Sequence, residues 1–122
     1  MTMARILLAD DDAATREMVK RALESDGHSV QVTQDGSEAL ERVKSDGASI
    51  DVLVSDVEMP LLDGVALAEG AYALQPKLRI LLMSGFSEQL GRAKTIQGPK
   101  IRLLSKPFTL DQVRESVRKL LL

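Results

Sequence analysis

Three aspartates stand in a row at Asp10, Asp11 and Asp12, and a fourth, Asp56, follows a second apolar run. Ser84 and Lys106 close two later apolar runs. Carboxylates gathered at one place repel, which raises the cost of ionising them all. A hard divalent cation removes that conflict. With oxygen donors only, no cysteine in the chain and a single histidine, His28, Mg²⁺ suits such a cluster better than Zn²⁺. Lys106 adds a point positive charge and Ser84 a hydroxyl donor, a pairing suited to an anion with several oxygens. An aspartate in that company can accept a phosphoryl group, because carboxylates serve as covalent carriers and the transfer needs mainly positioning and charge neutralisation.

This chemistry requires distant residues to meet, and the flanking sequence predicts how. Short apolar runs at residues 5–9, 28–33, 50–55, 79–83 and 101–104 have the length of strands. Four of them are nearly continuous in apolar residues, as expected of parallel strands covered on both faces. Amphipathic stretches lie between. In residues 13–25, Ala14, Met18, Val19, Ala22 and Leu23 recur at helical spacing. Asp35 with Glu38 has the spacing of a helix start, Asp63 to Leu74 is a third helix ended by Gln75-Pro76, and Ser87 to Gln97 is a weaker fourth that contains Gly91. A last helix starts at Thr109 and sets Leu110, Val113, Val117, Leu120 and Leu121 on one side. Five β-α units predict a doubly wound, three-layer α/β domain with five strands and five helices. In such folds ligands bind beyond the carboxyl ends of the strands. If the first and third strands are neighbours, Asp10, Asp11 and Asp56 share one pocket.

Composition narrows the field. The 122 residues give room for one domain, spanning 1–122, and no output domain is expected. Apolar residues at 44% and charged residues at 28% suit a globular chain, not a disordered one. Zero cysteines exclude a disulfide framework and a thiolate metal site. No apolar run approaches the roughly 18 residues of a membrane span, and the segment before Arg5 lacks a signal-peptide core, so a cytoplasmic location and no membrane partner are expected. Tyr72, Phe86 and Phe108 are too few for a base-stacking surface, so no nucleic-acid partner is expected. Neither phosphate-cradling glycine loop of nucleotide-binding α/β proteins is present. Charge is uneven: residues 1–61 hold 6 Lys/Arg against 13 Asp/Glu, and residues 62–122 hold 10 against 5.

The motifs Leu7-Leu-Ala-Asp-Asp-Asp12, Leu53-Val-Ser-Asp-Val-Glu-Met-Pro-Leu-Leu-Asp-Gly64, Leu82-Met-Ser-Gly85 and Ser105-Lys-Pro-Phe108 carry a resemblance. Over its full length the chain resembles the receiver domain of two-component response regulators, the phosphorelay switches of bacteria. That resemblance implies a flavodoxin-like sheet in the order 2-1-3-4-5. It makes Asp56 the phosphoryl acceptor, and Asp10, Asp11, Asp56 and the backbone carbonyl of Glu58 the Mg²⁺ ligands. Ser84 becomes the switch hydroxyl and Lys106 its charged companion, with Pro107 joined to Lys106 by a cis bond. Gly64 would permit the tight turn after Met59-Pro60, and Asp12 would be a loop residue, not a ligand. Leu103 stands where the family often has an aromatic switch residue.

The resemblance also implies partners. Upstream is a histidine kinase or histidine phosphotransfer protein, for which Thr15, Met18 and Phe108 are contact candidates. Downstream is a protein target reached through residues 84–105 and the last helix. The sequence is also similar to receivers that, unphosphorylated, prime a AAA+ protease unfoldase in bacterial cell-cycle control. No catalysis is expected beyond the protein's own phosphorylation and dephosphorylation. An aspartate-based phosphatase or phosphotransferase is the alternative, since Glu58 loosely mimics its second acid, but the short loops offer no cap over a substrate.

Overall fold

Leu7, Leu8, Ala9, Leu53, Val54, Leu81 and Leu82 have no exposed surface. The central strands are therefore covered on both faces, as their continuous apolar runs require. In the computed structural model, which describes residues 3–86, 91–94, 96 and 100–122, these residues belong to a five-stranded sheet. Its strands are β1 (Arg5–Ala9), β2 (Ser29–Thr33), β3 (Val52–Asp56), β4 (Arg79–Ser84) and β5 (Lys100–Ser105). All neighbours are parallel, in the order β2-β1-β3-β4-β5.

The helices are α1 (Ala13–Ser25), α2 (Gly36–Asp46), α3 (Gly64–Leu74), α4, described at residues 91–93, and α5 (Leu110–Leu120). Alternation along the strands sorts the core into two layers. Leu7, Leu53, Ile80 and Leu82 pack against Ala39 and Val43 of α2, Leu67 and Ala68 of α3, and Ala93 of α4. Ile6, Leu8, Val54 and Met83 pack on the other face against Val19 and Leu23 of α1 and Val113 and Val117 of α5. This is the doubly wound, three-layer arrangement that the order of elements predicts.

Helix starts are fixed by side chains. Asp12, Asp35 and Asp63 accept from the backbone N–H of Thr15, Glu38 and Ala66, and Thr109 forms a capping box with Gln112. Each such cap is worth about 1 kcal/mol. Asp12 is thus occupied at the head of α1. At the other end of α1, Asp26 receives two hydrogen bonds from Arg118 of α5, at 2.8 and 2.7 Å.

Three details differ from expectation. Strand β3 runs one residue further, so Asp56 is its last residue, and β4 and β5 likewise end on Ser84 and Ser105. Polar residues close these strands because backbone pairing continues past the apolar run. The inward stripe of α1 is narrower than its spacing suggests: Val19, Ala22 and Leu23 are buried, while Ala14 is exposed and Met18 is 52% exposed. Of the helix expected from Ser87 to Gln97, residues 91–93 are helical, and residues 87–90, 95 and 97 lie outside the described residues.

Candidate functional site

Ala9 of β1 and Ser55 of β3 stand side by side in register. The residues that follow them, Asp10 and Asp56, therefore emerge together at the carboxyl end of the sheet. Asp10 is fully buried and Asp56 is 4% exposed. One carboxylate oxygen from each of Asp10, Asp11 and Asp56 lies within 4.8 Å of the others. Asp11 is the exposed member of the set.

Local hydrogen bonds hold Asp10 in place. Its backbone N–H donates to the Thr33 carbonyl at 3.2 Å, and its Oδ1 accepts from the Asp12 N–H at 2.9 Å. The Arg16 guanidinium, one turn into α1, donates to the Asp10 carbonyl at 2.8 Å. Asp10 Oδ2 is buried and has no hydrogen-bond partner. Burial pushes the Asp10 carboxyl up to about 6, and the charges of Asp56 and Asp11 add to the rise. The Asp12 N–H and Lys106 oppose it. Burial also raises Asp56, against the pull of Lys106.

Lys106 Nζ lies 2.9 Å from Asp56 Oδ1. Burial pushes the ammonium down, but the hydrogen bond and charge of Asp56 outweigh it, and the group is held above its ordinary value. Lys106 is placed by its backbone, whose N–H donates to the Ser84 carbonyl at 2.9 Å; the Lys106–Pro107 bond is cis. Ser84 itself is fully buried, and its hydroxyl sits 2.7 Å from Glu58 Oε2.

Gly64 is needed for close approach. A Cβ there would come within 2.3 Å of the Asp56 carbonyl oxygen and 2.8 Å of Val57 Cα. Its N–H donates to the Val57 carbonyl at 2.8 Å, drawing the head of α3 against the end of β3. The left-handed residue in this loop is Leu61, at φ 70°, and not the glycine.

The expected partner residues separate into two groups. Thr15, Met18, Pro107 and Phe108 line one groove of about 450 Å³ with Lys106. Leu103 is not among them; it is half-buried against the core layer that holds α2 and α3. Sequence reasoning missed Arg16, whose reach to Asp10 depends on where Asp12 starts the helix. It named Glu58 for its carbonyl and for a carboxylate near the acceptor, but not the contact of that carboxylate with Ser84.

The donor set fits a hard divalent cation. It is all oxygen, it gathers three carboxylates, and Asp10 Oδ2 is buried without another partner. No described helix is long and apolar enough to cross a membrane.

Comparison with known proteins agrees with this geometry. Residues 6–118 match the response regulator receiver domain family. The chain is 34% identical over 120 residues to the response regulator receiver protein CpdR of Brucella abortus, covering 98% of both. It is 35% identical over 118 residues to the sensor kinase CckA of the same species, covering 97% of this chain but 12% of the kinase. A chain of the CheX–CheY–BeF3–Mg²⁺ complex from Borrelia burgdorferi superposes with a TM-score of 0.87 at 26% identity, covering 98% of this chain and 90% of that one. A match over most of the sequence and a sheet order expected from the same motifs leave one conclusion: the chain belongs to the response regulator receiver domain family of two-component signalling.

Proposed function

We propose that Asp56 accepts a phosphoryl group from a histidine kinase or histidine phosphotransfer protein and that the domain then signals through protein contacts. The observation that carries this reading is a nearly buried aspartate at a strand end, paired at 2.9 Å with Lys106 and grouped with Asp10 and Asp11. A carboxylate oxygen of Asp56 attacks phosphorus as the bond to the donor imidazole breaks. Lys106 offsets charge on the acceptor and on the phosphoryl oxygens. Asp10, Asp11, Asp56 and the Glu58 carbonyl would hold Mg²⁺, which would supply a further counter-charge. Ser84 is the hydroxyl that turns toward the modified aspartate. The Borrelia relative, in complex with BeF3 and Mg²⁺, supports the same chemistry here.

The groove of Thr15, Met18, Pro107 and Phe108 is the docking surface for the donor, since it opens beside Lys106. The family match does not favour the phosphatase alternative. A downstream role in controlling a AAA+ protease is a second reading, supported by the match to CpdR over 98% of each chain. It predicts recovery of an unfoldase N-terminal domain by Asp56→Ala but not by the beryllofluoride-bound protein; equal recovery by both would reject it. A cytoplasmic location follows from the same reading.

The central test is amide NMR with Mg²⁺ and beryllofluoride. Shifts are expected around Asp56, Ser84 and Lys106 in the wild type and absent in Asp56→Ala. A wild type that does not respond would overturn the proposal.

A further inference from the structure

Ser84 has one proton to give, and two acceptors stand near it. Its Oγ lies 2.7 Å from Glu58 Oε2 and 3.3 Å from the Phe86 carbonyl. The Phe86 N–H donates to the same oxygen at 3.0 Å. The shorter contact, to a charged acceptor, takes the proton. The hydroxyl assigned to the phosphoryl group is therefore already committed, and to a carboxylate two residues beyond the acceptor.

We infer that Glu58 is a positioning residue that holds Ser84 in its resting arrangement, so that phosphorylation of Asp56 becomes a contest between two acceptors for one hydroxyl proton. The inference rests on the phosphoryl-acceptor reading of Asp56. To engage a phosphoryl oxygen, Ser84 has to leave Glu58. Rotation of the hydroxyl also disturbs the bond it accepts from Phe86, a residue 61% exposed. The latch thus ties the chemistry of the pocket to the backbone that follows β4.

A latch differs from simple repulsion. The negative charge of Glu58 disfavours added negative charge at Asp56 wherever Ser84 points. A latch depends on an acceptor atom being present and on Ser84 having a hydroxyl. Glu58→Gln keeps an acceptor oxygen and removes the charge; Glu58→Ala removes both.

Beryllofluoride titration at fixed Mg²⁺, read by amide NMR, separates the two. Without beryllofluoride, the Ser84, Gly85 and Phe86 amides of E58A are expected to move toward their bound positions, and those of E58Q to stay near the wild type. The half-saturating beryllofluoride concentration of E58A is expected to fall about fivefold below that of E58Q, the worth of roughly one net hydrogen bond. In a Ser84→Ala background the difference between E58A and E58Q is expected to vanish. Equal half-saturation for E58A and E58Q, or a difference that survives Ser84→Ala, would overturn the latch. A wild type silent to beryllofluoride would instead overturn the acceptor reading beneath it.

Discussion

Asp10 is fully buried, and one of its oxygens has no hydrogen-bond partner. Keeping it ionised is costly, and burial accordingly lifts its pKa from 3.8 to about 6. An acid raised in this way binds its proton more tightly in the folded state. Its contribution to stability is full below pH 3.8 and is lost as pH rises through about 6. Asp10→Asn is therefore expected to stabilise the metal-free protein at pH 7.5 by about 1–3 kcal/mol, with a smaller gain near pH 5. The same variant should lose the added stability that Mg²⁺ confers on the wild type, which at 100 times the dissociation constant is about 2.7 kcal/mol. Urea unfolding with and without Mg²⁺ measures both effects; a destabilised variant at pH 7.5 would contradict the first. At this scale Asp10, Asp11, Asp56 and Lys106 were legible because each stands at the end of an apolar run. The contact of Glu58 with Ser84 was not, because it spans 26 residues and depends on side-chain orientation. Arg16 was hidden for a related reason: its reach to the Asp10 carbonyl needs the exact path of the chain through the first helical turn.

The elements place these residues through a few close approaches. Gly64 lets α3 begin against the carbonyl of Asp56, and Gly36 lets α2 begin against Leu62, whose carbonyl oxygen would lie 2.0 Å from an added Cβ. Both contacts are with backbone, which cannot swing aside as a side chain can. Gly64→Ala is expected to cost about 1–3 kcal/mol, as overpacking does, and to raise the half-saturating beryllofluoride concentration by displacing Asp56. Urea melts and the NMR titration test it, and a variant neutral in both would remove Gly64 from the support of the site. The motif pointed to Gly64 but gave the wrong physical reason, a turn conformation; the reason is space, which only the packed structure displays. Strand and helix order was readable throughout, because continuous apolar runs and capping residues are local signals. The exposure of Met18 was not, since helical spacing cannot say how far a neighbouring helix covers a stripe.

At the scale of the molecule, the sheet order joins an acidic first half to a basic second half. Asp10, Asp11 and Asp56 come from one and Lys106 from the other. The groove beside Lys106 also draws on both, with Thr15 and Met18 from α1 and Pro107 and Phe108 following β5. Met18→Glu is expected to slow phosphotransfer from a histidine-bound donor about tenfold more than from acetyl phosphate, the effect of losing one well-placed interface side chain. Parallel slowing from both donors, or none, would exclude docking at this groove. The pocket's own inventory has a kinetic consequence. Three clustered carboxylates, with Glu58 close by, stand against the Lys106 ammonium, and Asp12 and Asp63 each accept one N–H at the heads of α1 and α3. A free anion approaching the pocket meets net negative charge, which a bound cation would offset. If Asp56 accepts a phosphoryl group as proposed, this charge balance would favour a cation arriving ahead of an anionic donor.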